Sequence, residues 1–150
     1  APTTEAALNP GMTVAWPDGG VATTLLDSAL GCVSSAPCLA RFVDAAFAAL
    51  EERPGLLSKA LIQEMLARPA GAPGAGEDSY YGLGWRIKQV EGNTCAWHGG
   101  SLPGTTALVV HGSNGSNIAL LMNSRPKDWQ AFNQQLHALI AIVPTIQLSE

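Results

Sequence analysis

The sequence predicts an α+β fold, an antiparallel sheet with helices packed on it. Apolar residues recur at three- and four-residue spacing in two stretches of the first half and again near the end. Between Tyr80 and Asn123 the pattern changes to short apolar runs divided by Gly- and Asn-containing turns. Of the 150 residues, 47% are hydrophobic and 13% charged, too apolar for disorder and sized for one core.

The first twenty residues are rich in Pro, Thr and Gly. Pro17-Asp18-Gly19-Gly20 reads as a turn, with Thr13–Trp16 and Val21–Leu26 on either side as short paired strands. Ser34 or Ser35 caps a helix with Pro37 in its first turn. Leu39, Phe42, Val43, Ala46, Phe47 and Leu50 form its apolar face, and Pro54-Gly55 ends the run. A second helix starts at Ser58, carries Leu61, Ile62, Met65 and Leu66 on one face, and stops at Pro69. Residues 69–78 read as a flexible loop.

Tyr81–Val90 reads as a strand alternating from Leu83, and Glu91-Gly92-Asn93 as a turn. Thr94–His98 is a short strand. Gly99-Gly100-Ser101-Leu102-Pro103-Gly104 makes a poor strand end; it either builds a tight turn or holds backbone N–H groups open to a ligand. Thr106–His111 and Asn117–Asn123 flank Gly112–Ser116 as a hairpin whose strands are apolar enough to be covered on both faces. The last helix, Trp129 to Ile142, presents Phe132, Leu136, Leu139, Ile140 and Val143 to one face of that sheet. The chain thus divides into an extended segment 1–30, a helical segment 31–68, a loop 69–79 and a sheet-and-helix segment 80–150.

Several function classes fall away. A net charge of −4 with no Lys/Arg cluster speaks against nucleic acid or an anionic membrane. The apolar run Leu136–Val143 contains His137 and is too short for a membrane span. Ala1-Pro2-Thr3-Thr4 lacks the basic and apolar regions of a signal peptide. No metal-ligand spacing, phosphate loop or Gly-x-Ser-x-Gly elbow is present, so neither a metal nor a cofactor is expected. Cys32 and Cys38 lie six residues apart around Pro37 and read either as two buried free thiols or as a small-loop disulfide.

Four motifs stand in one order: Gly31-Cys32-Val33-Ser34-Ser35-Ala36-Pro37-Cys38-Leu39-Ala40-Arg41-Phe42, then Leu56-Leu57-Ser58, Tyr81-Gly82-Leu83-Gly84-Trp85, and His98-Gly99-Gly100-Ser101-Leu102-Pro103-Gly104. An apolar hairpin ending in Met122-Asn123-Ser124 follows. This set resembles the C-terminal part of the serine β-lactamase-like family of class C β-lactamases, penicillin-binding proteins and related esterases. The resemblance covers about four-fifths of the chain. Cys32 stands for the family's usual Leu, Cys38 for its usual Asp, and His98-Gly99-Gly100 for Lys-Thr-Gly or His-x-Gly.

The resemblance implies an acyl-enzyme serine hydrolase acting on a small ester, amide or β-lactam. Ser101 would supply one oxyanion N–H and His98 a polar group near the substrate or the proton relay. Gly99 and Gly100 would leave a bare strand edge for the substrate, and Asn123 would meet a substrate carboxylate. His98 in place of Lys leans toward esterase or peptidase activity. Exported relatives lean the compartment toward periplasm or secretion. Partners would be the missing N-terminal half of the fold, or a second copy covering the open sheet edge.

The family's nucleophile motif Ser-x-x-Lys is matched in letters only by Ser124-Arg125-Pro126-Lys127, after a strand and interrupted by Pro126, and Tyr-x-Asn is absent. Alone, the chain is expected to be inactive. A rival reading is a non-catalytic binding module that keeps the fold; another is an unrelated α+β domain with a structural glycine turn. Outside the motifs, His98 also reads as a structural histidine. Tyr80 and Tyr81 read as rim or core residues, His111 as a hairpin end and His137 as helix surface. Asp44, Glu51, Glu52 and Glu64 read as a solvated helix face.

Overall fold

A computed structural model describes residues 3–6, 9–15, 20, 32–71, 79–90, 92–102 and 104–146. Strands β1 (Thr3–Ala6) and β2 (Asn9–Ala15) form an antiparallel pair. Helices α1 (Ala36–Phe47) and α2 (Lys59–Leu66) follow, with a short 3₁₀ turn Ala48–Glu51 between them. Strands β3 (Ser79–Tyr81), β4 (Arg86–Val90), β5 (Asn93–Leu102), β6 (Thr105–Gly112) and β7 (Asn117–Met122) make one antiparallel sheet in sequence order. Helix α3 (Trp129–Ile142) closes the fold.

The sheet is covered on both faces, as its apolar strands require. Side chains alternate along β5, so Ala96 points to one face and Cys95 and Trp97 to the other. On the first face Ala96 and Ile87 pack with Val43, Ala46 and Phe47 of α1 and Ile62 of α2. On the second, Cys95, Trp97, Leu108 and Val110 pack with Ile140 and Val143 at the end of α3. Ser35 caps α1 by accepting from the Cys38 amide at 3.3 Å, Ser58 caps α2, and Asp128 caps α3.

Several expectations are corrected. The expected partner strand Val21–Leu26 lies outside the described residues, as do residues 72–78 of the expected loop; among the described residues β2 pairs with Thr3–Ala6. The strand expected over Tyr81–Val90 is two strands, because the Gly82 amide bonds the Trp85 carbonyl at 2.8 Å and Gly84 takes φ +80. Strand β5 does not stop at His98 but runs through both glycines to Leu102. Register with Thr105–Val109 of β6 overrides the weak strand propensity of glycine. Phe42 and Leu61, expected on apolar faces, are 56% and 53% exposed.

Cys32 and Cys38 are free, and exposed rather than buried, because they lie beside the polar cap of α1 and outside both core clusters. Cys95 is the buried thiol: its Sγ donates to the Ile140 carbonyl at 3.4 Å, and burial pushes its pKa up to about 11. A maleimide pulse at pH 7 should therefore add two labels to the native protein and a third only on unfolding, read by intact mass. Three labels on the native protein would show that the α3 face opens.

No described helix is long and apolar enough to cross a membrane.

Candidate functional site

Strand β4 begins at Arg86, opposite Trp97 of β5. From His98 to Leu102, β5 therefore has β6 on one side and, among the described residues, no strand on the other. In an antiparallel ladder alternate residues turn their N–H and C=O to opposite neighbours, so this half of β5 presents unpaired backbone groups to the open side.

Nothing in the fold demands glycine here. A Cβ on Gly100 would meet nothing within 4 Å, and one on Gly99 would make ordinary contacts of 3.6 and 3.7 Å. Neither residue has a positive φ, unlike Gly84, Gly92, Gly104 and Gly115. The two bare positions clear space beside the open strand rather than inside the packing.

His98 sits at the start of this open stretch, exposed but held. Its Nδ1 is 2.7 Å from the Gly84 carbonyl oxygen and 3.1 Å from the Tyr81 hydroxyl. A carbonyl only accepts, so Nδ1 carries the proton of the neutral ring and donates it to Gly84. Nε2 is then an acceptor with no partner among the described residues. The loop that holds His98 is itself anchored: the Leu83 amide bonds the Met65 carbonyl at 2.9 Å. The Tyr-Gly-Leu-Gly-Trp motif is thus the mount for His98, a link that sequence spacing does not reveal.

A cavity of about 300 Å³ lies between this strand and α3, walled by Trp97, Gly99, Ser101, Leu108, Leu136 and His137. The Ser101 hydroxyl oxygen is buried there with no hydrogen-bond partner among the described residues. His137 meets the Trp97 ring edge-on at 6.3 Å, so it forms part of a cavity wall as well as helix surface. Arg86 and Asn133 also line this cavity, and no sequence motif marks either.

His98, Gly99, Gly100 and Ser101 thus come together on one strand. Asn123 does not join them. It is exposed just past β7, and the Met122–Thr106–Ser101 register puts it two strands away, about 10 Å across the sheet. Ser124 accepts from the Thr106 hydroxyl at 3.0 Å and precedes the α3 cap Asp128, so Ser124 and Lys127 do not share a helical turn. Tyr80 belongs to the core rim and donates to the Leu66 carbonyl at 2.9 Å. Asp44 and Glu51 are more than a solvated face, since both bond Arg53, at 2.7 and 2.9 Å.

Gly82→Ala should cost about 2 kcal/mol or more, from overpacking and the loss of the Leu83–Met65 bond. The added Cβ would collide with the Met65 carbonyl oxygen and crowd Ile87 Cδ1 at 3.1 Å. Urea unfolding reads the loss, and the His98 ring resonances should broaden as the mount loosens. An unchanged urea midpoint would mean the loop is not docked on α2.

The helix-flanked antiparallel sheet is consistent with a beta-lactamase/transpeptidase-like fold. The beta-lactamase family model matches residues 1–141, and the chain belongs to that family. No curated protein and no solved structure matches the chain.

Proposed function

We propose that this chain is the C-terminal part of a serine hydrolase that works through an acyl-enzyme on a small ester, amide or β-lactam. The carrying observation is the open half of β5, where two glycines that packing does not require follow a histidine held by its Nδ1. In this reading the substrate carbonyl group lies along His98–Ser101. The Ser101 N–H is one of two donors to the oxyanion, and the nucleophile's own N–H is the other. His98 Nε2 accepts a hydrogen bond from the substrate or takes up a proton in transit. Asn123 would serve a remote substrate carboxylate, which suits a longer ligand better than a small ester.

The nucleophile belongs to a segment that carries Ser-x-x-Lys at a helix N-terminus, an arrangement absent among the described residues. That segment, or a second copy of the chain, would also cover β7, which pairs only with β6 among the described strands. Without the Ser and Lys of that motif, the 150 residues should turn over no substrate.

The test is intact-mass detection of a covalent adduct, after treating the chain and its complete gene product with a fluorophosphonate and with a penicillin. Labelling only of the complete product, on a serine outside these residues, supports the hydrolase. Labelling of neither favours a binding module that keeps the fold. Labelling of the isolated chain at Ser124 would overturn the assignment of the nucleophile.

A further inference from the structure

A second cavity, of about 210 Å³, lies toward the other end of β5, against α2 and the 3₁₀ turn that follows α1. Leu50, Leu66 and Ala96 form its apolar wall, and Glu51, Thr94, His111 and Ser113 bring polar groups to it. Nothing in the hydrolase reading uses it.

His111 is 4% exposed, and its ring stacks on Phe47 at 4.0 Å with planes 13° apart. Its Nδ1 lies 2.9 Å from Asn117 Oδ1. The Asn117 amide is fixed from its other end, where Nδ2 donates to the Gly115 carbonyl at 3.1 Å and to Asp44 Oδ1 at 3.3 Å. Oδ1 therefore accepts, and His111 Nδ1 carries the proton. Desolvation pushes the His111 pKa below its ordinary value, against the opposing pull of Asn117, Glu51 and Asp44, so the ring is neutral at pH 7.

That leaves His111 Nε2 as an acceptor with no donor among the described residues, on a ring locked in place by stacking and by Asn117. The ring lines the cavity. An acceptor of this kind is served by water or by a donor group that enters the cavity. Its charged neighbour in the same cavity, Glu51, also only accepts, and uses Oε2 for Arg53 at 2.9 Å. Arg53 is shared between Glu51 and Asp44, so two carboxylates face one guanidinium and a negative charge remains.

The geometry points to a small organic ammonium as the ligand of this cavity. Its N–H groups would donate to His111 Nε2 and to the Glu51 carboxylate, and its apolar body would lie against Leu50, Leu66 and Ala96. The volume, below the roughly 300–1,000 Å³ of drug-sized sites, suits a single ring or a short chain.

Benzylamine, benzyl alcohol and benzoate added separately to the protein at pH 7 test this. The readouts are the His111 ring nitrogen resonances and the thermal unfolding midpoint. Benzylamine should shift Nε2 saturably and raise the midpoint, benzyl alcohol should bind about tenfold more weakly, and benzoate should do neither. Glu51→Gln should weaken benzylamine about tenfold, while the Arg53–Asp44 pair keeps the segment in place. Equal binding of the amine and the alcohol would reduce the cavity to an apolar hole and overturn the assignment. No response to any probe at millimolar concentration would mean that Nε2 is served by water alone. If Glu51→Gln fails to fold, the three-probe comparison on the unaltered protein decides.

Discussion

Phe47→Ala should cost about 3–5 kcal/mol of folding free energy, a large share of the ~5–15 kcal/mol that holds a domain together. Phe47 is 1% exposed at the end of α1. Its ring meets Trp85 edge-on at 4.9 Å and His111 face-on at 4.0 Å, so it joins α1, the loop before β4, and β6. Truncation leaves a void that those rigid rings cannot fill, and the aromatic pairings go with it. Phe42→Ala, on the same helix, should cost less than about 1 kcal/mol because that ring is already largely in water. Urea unfolding of the two variants gives the contrast. A Phe47→Ala loss as small as that of Phe42→Ala would show that α1 does not seat on the sheet as described.

Ser101→Pro should lower kcat about 10²–10³-fold in the complete hydrolase, the usual cost of losing one oxyanion donor. Proline removes the group of Ser101 assigned to the oxyanion, its backbone N–H. Where that N–H faces the open side of β5, proline breaks no bond to β6, and the protein stays folded. Ser101→Ala loses the same hydroxyl but keeps the amide, so the kcat ratio of the two variants isolates the donor. Circular dichroism supplies the control. If Ser101→Pro unfolds the sheet, the N–H is a ladder bond to β6 and the oxyanion role is wrong. If it folds and turns over at the rate of Ser101→Ala, another group is the donor.

The helices were the most legible part of the chain. Ser35, Ser58 and Asp128 cap α1, α2 and α3 through local hydrogen bonds, and local bonds leave local sequence signals. The β6–β7 hairpin was legible for the same reason, with a Gly- and Asn-rich turn between two apolar runs. Strand extent was less so. Gly99 and Gly100 look like a strand end until β6 is placed beside them, and Tyr81–Val90 looks continuous until the Gly82–Trp85 bond divides it. Phe42 and Phe47 share one helical pattern, yet only packing decides which of them is core.

The candidate site divides along the same line. The sequence by itself determined the α+β class, the helix starts, the hairpin, and the presence of His98, Gly99, Gly100 and Ser101 in one run. It did so because capping, periodicity and turn chemistry act over a few neighbouring residues. Only the tertiary structure decided that this run is an open strand half, that Gly84 fixes the His98 proton on Nδ1, and that Asn123 lies away from them. It alone placed His111 beside Phe47, Asn117 and a cavity. Those facts depend on residues far apart in the chain meeting across strands, and no local pattern encodes which backbone groups stay unpaired once the sheet has formed.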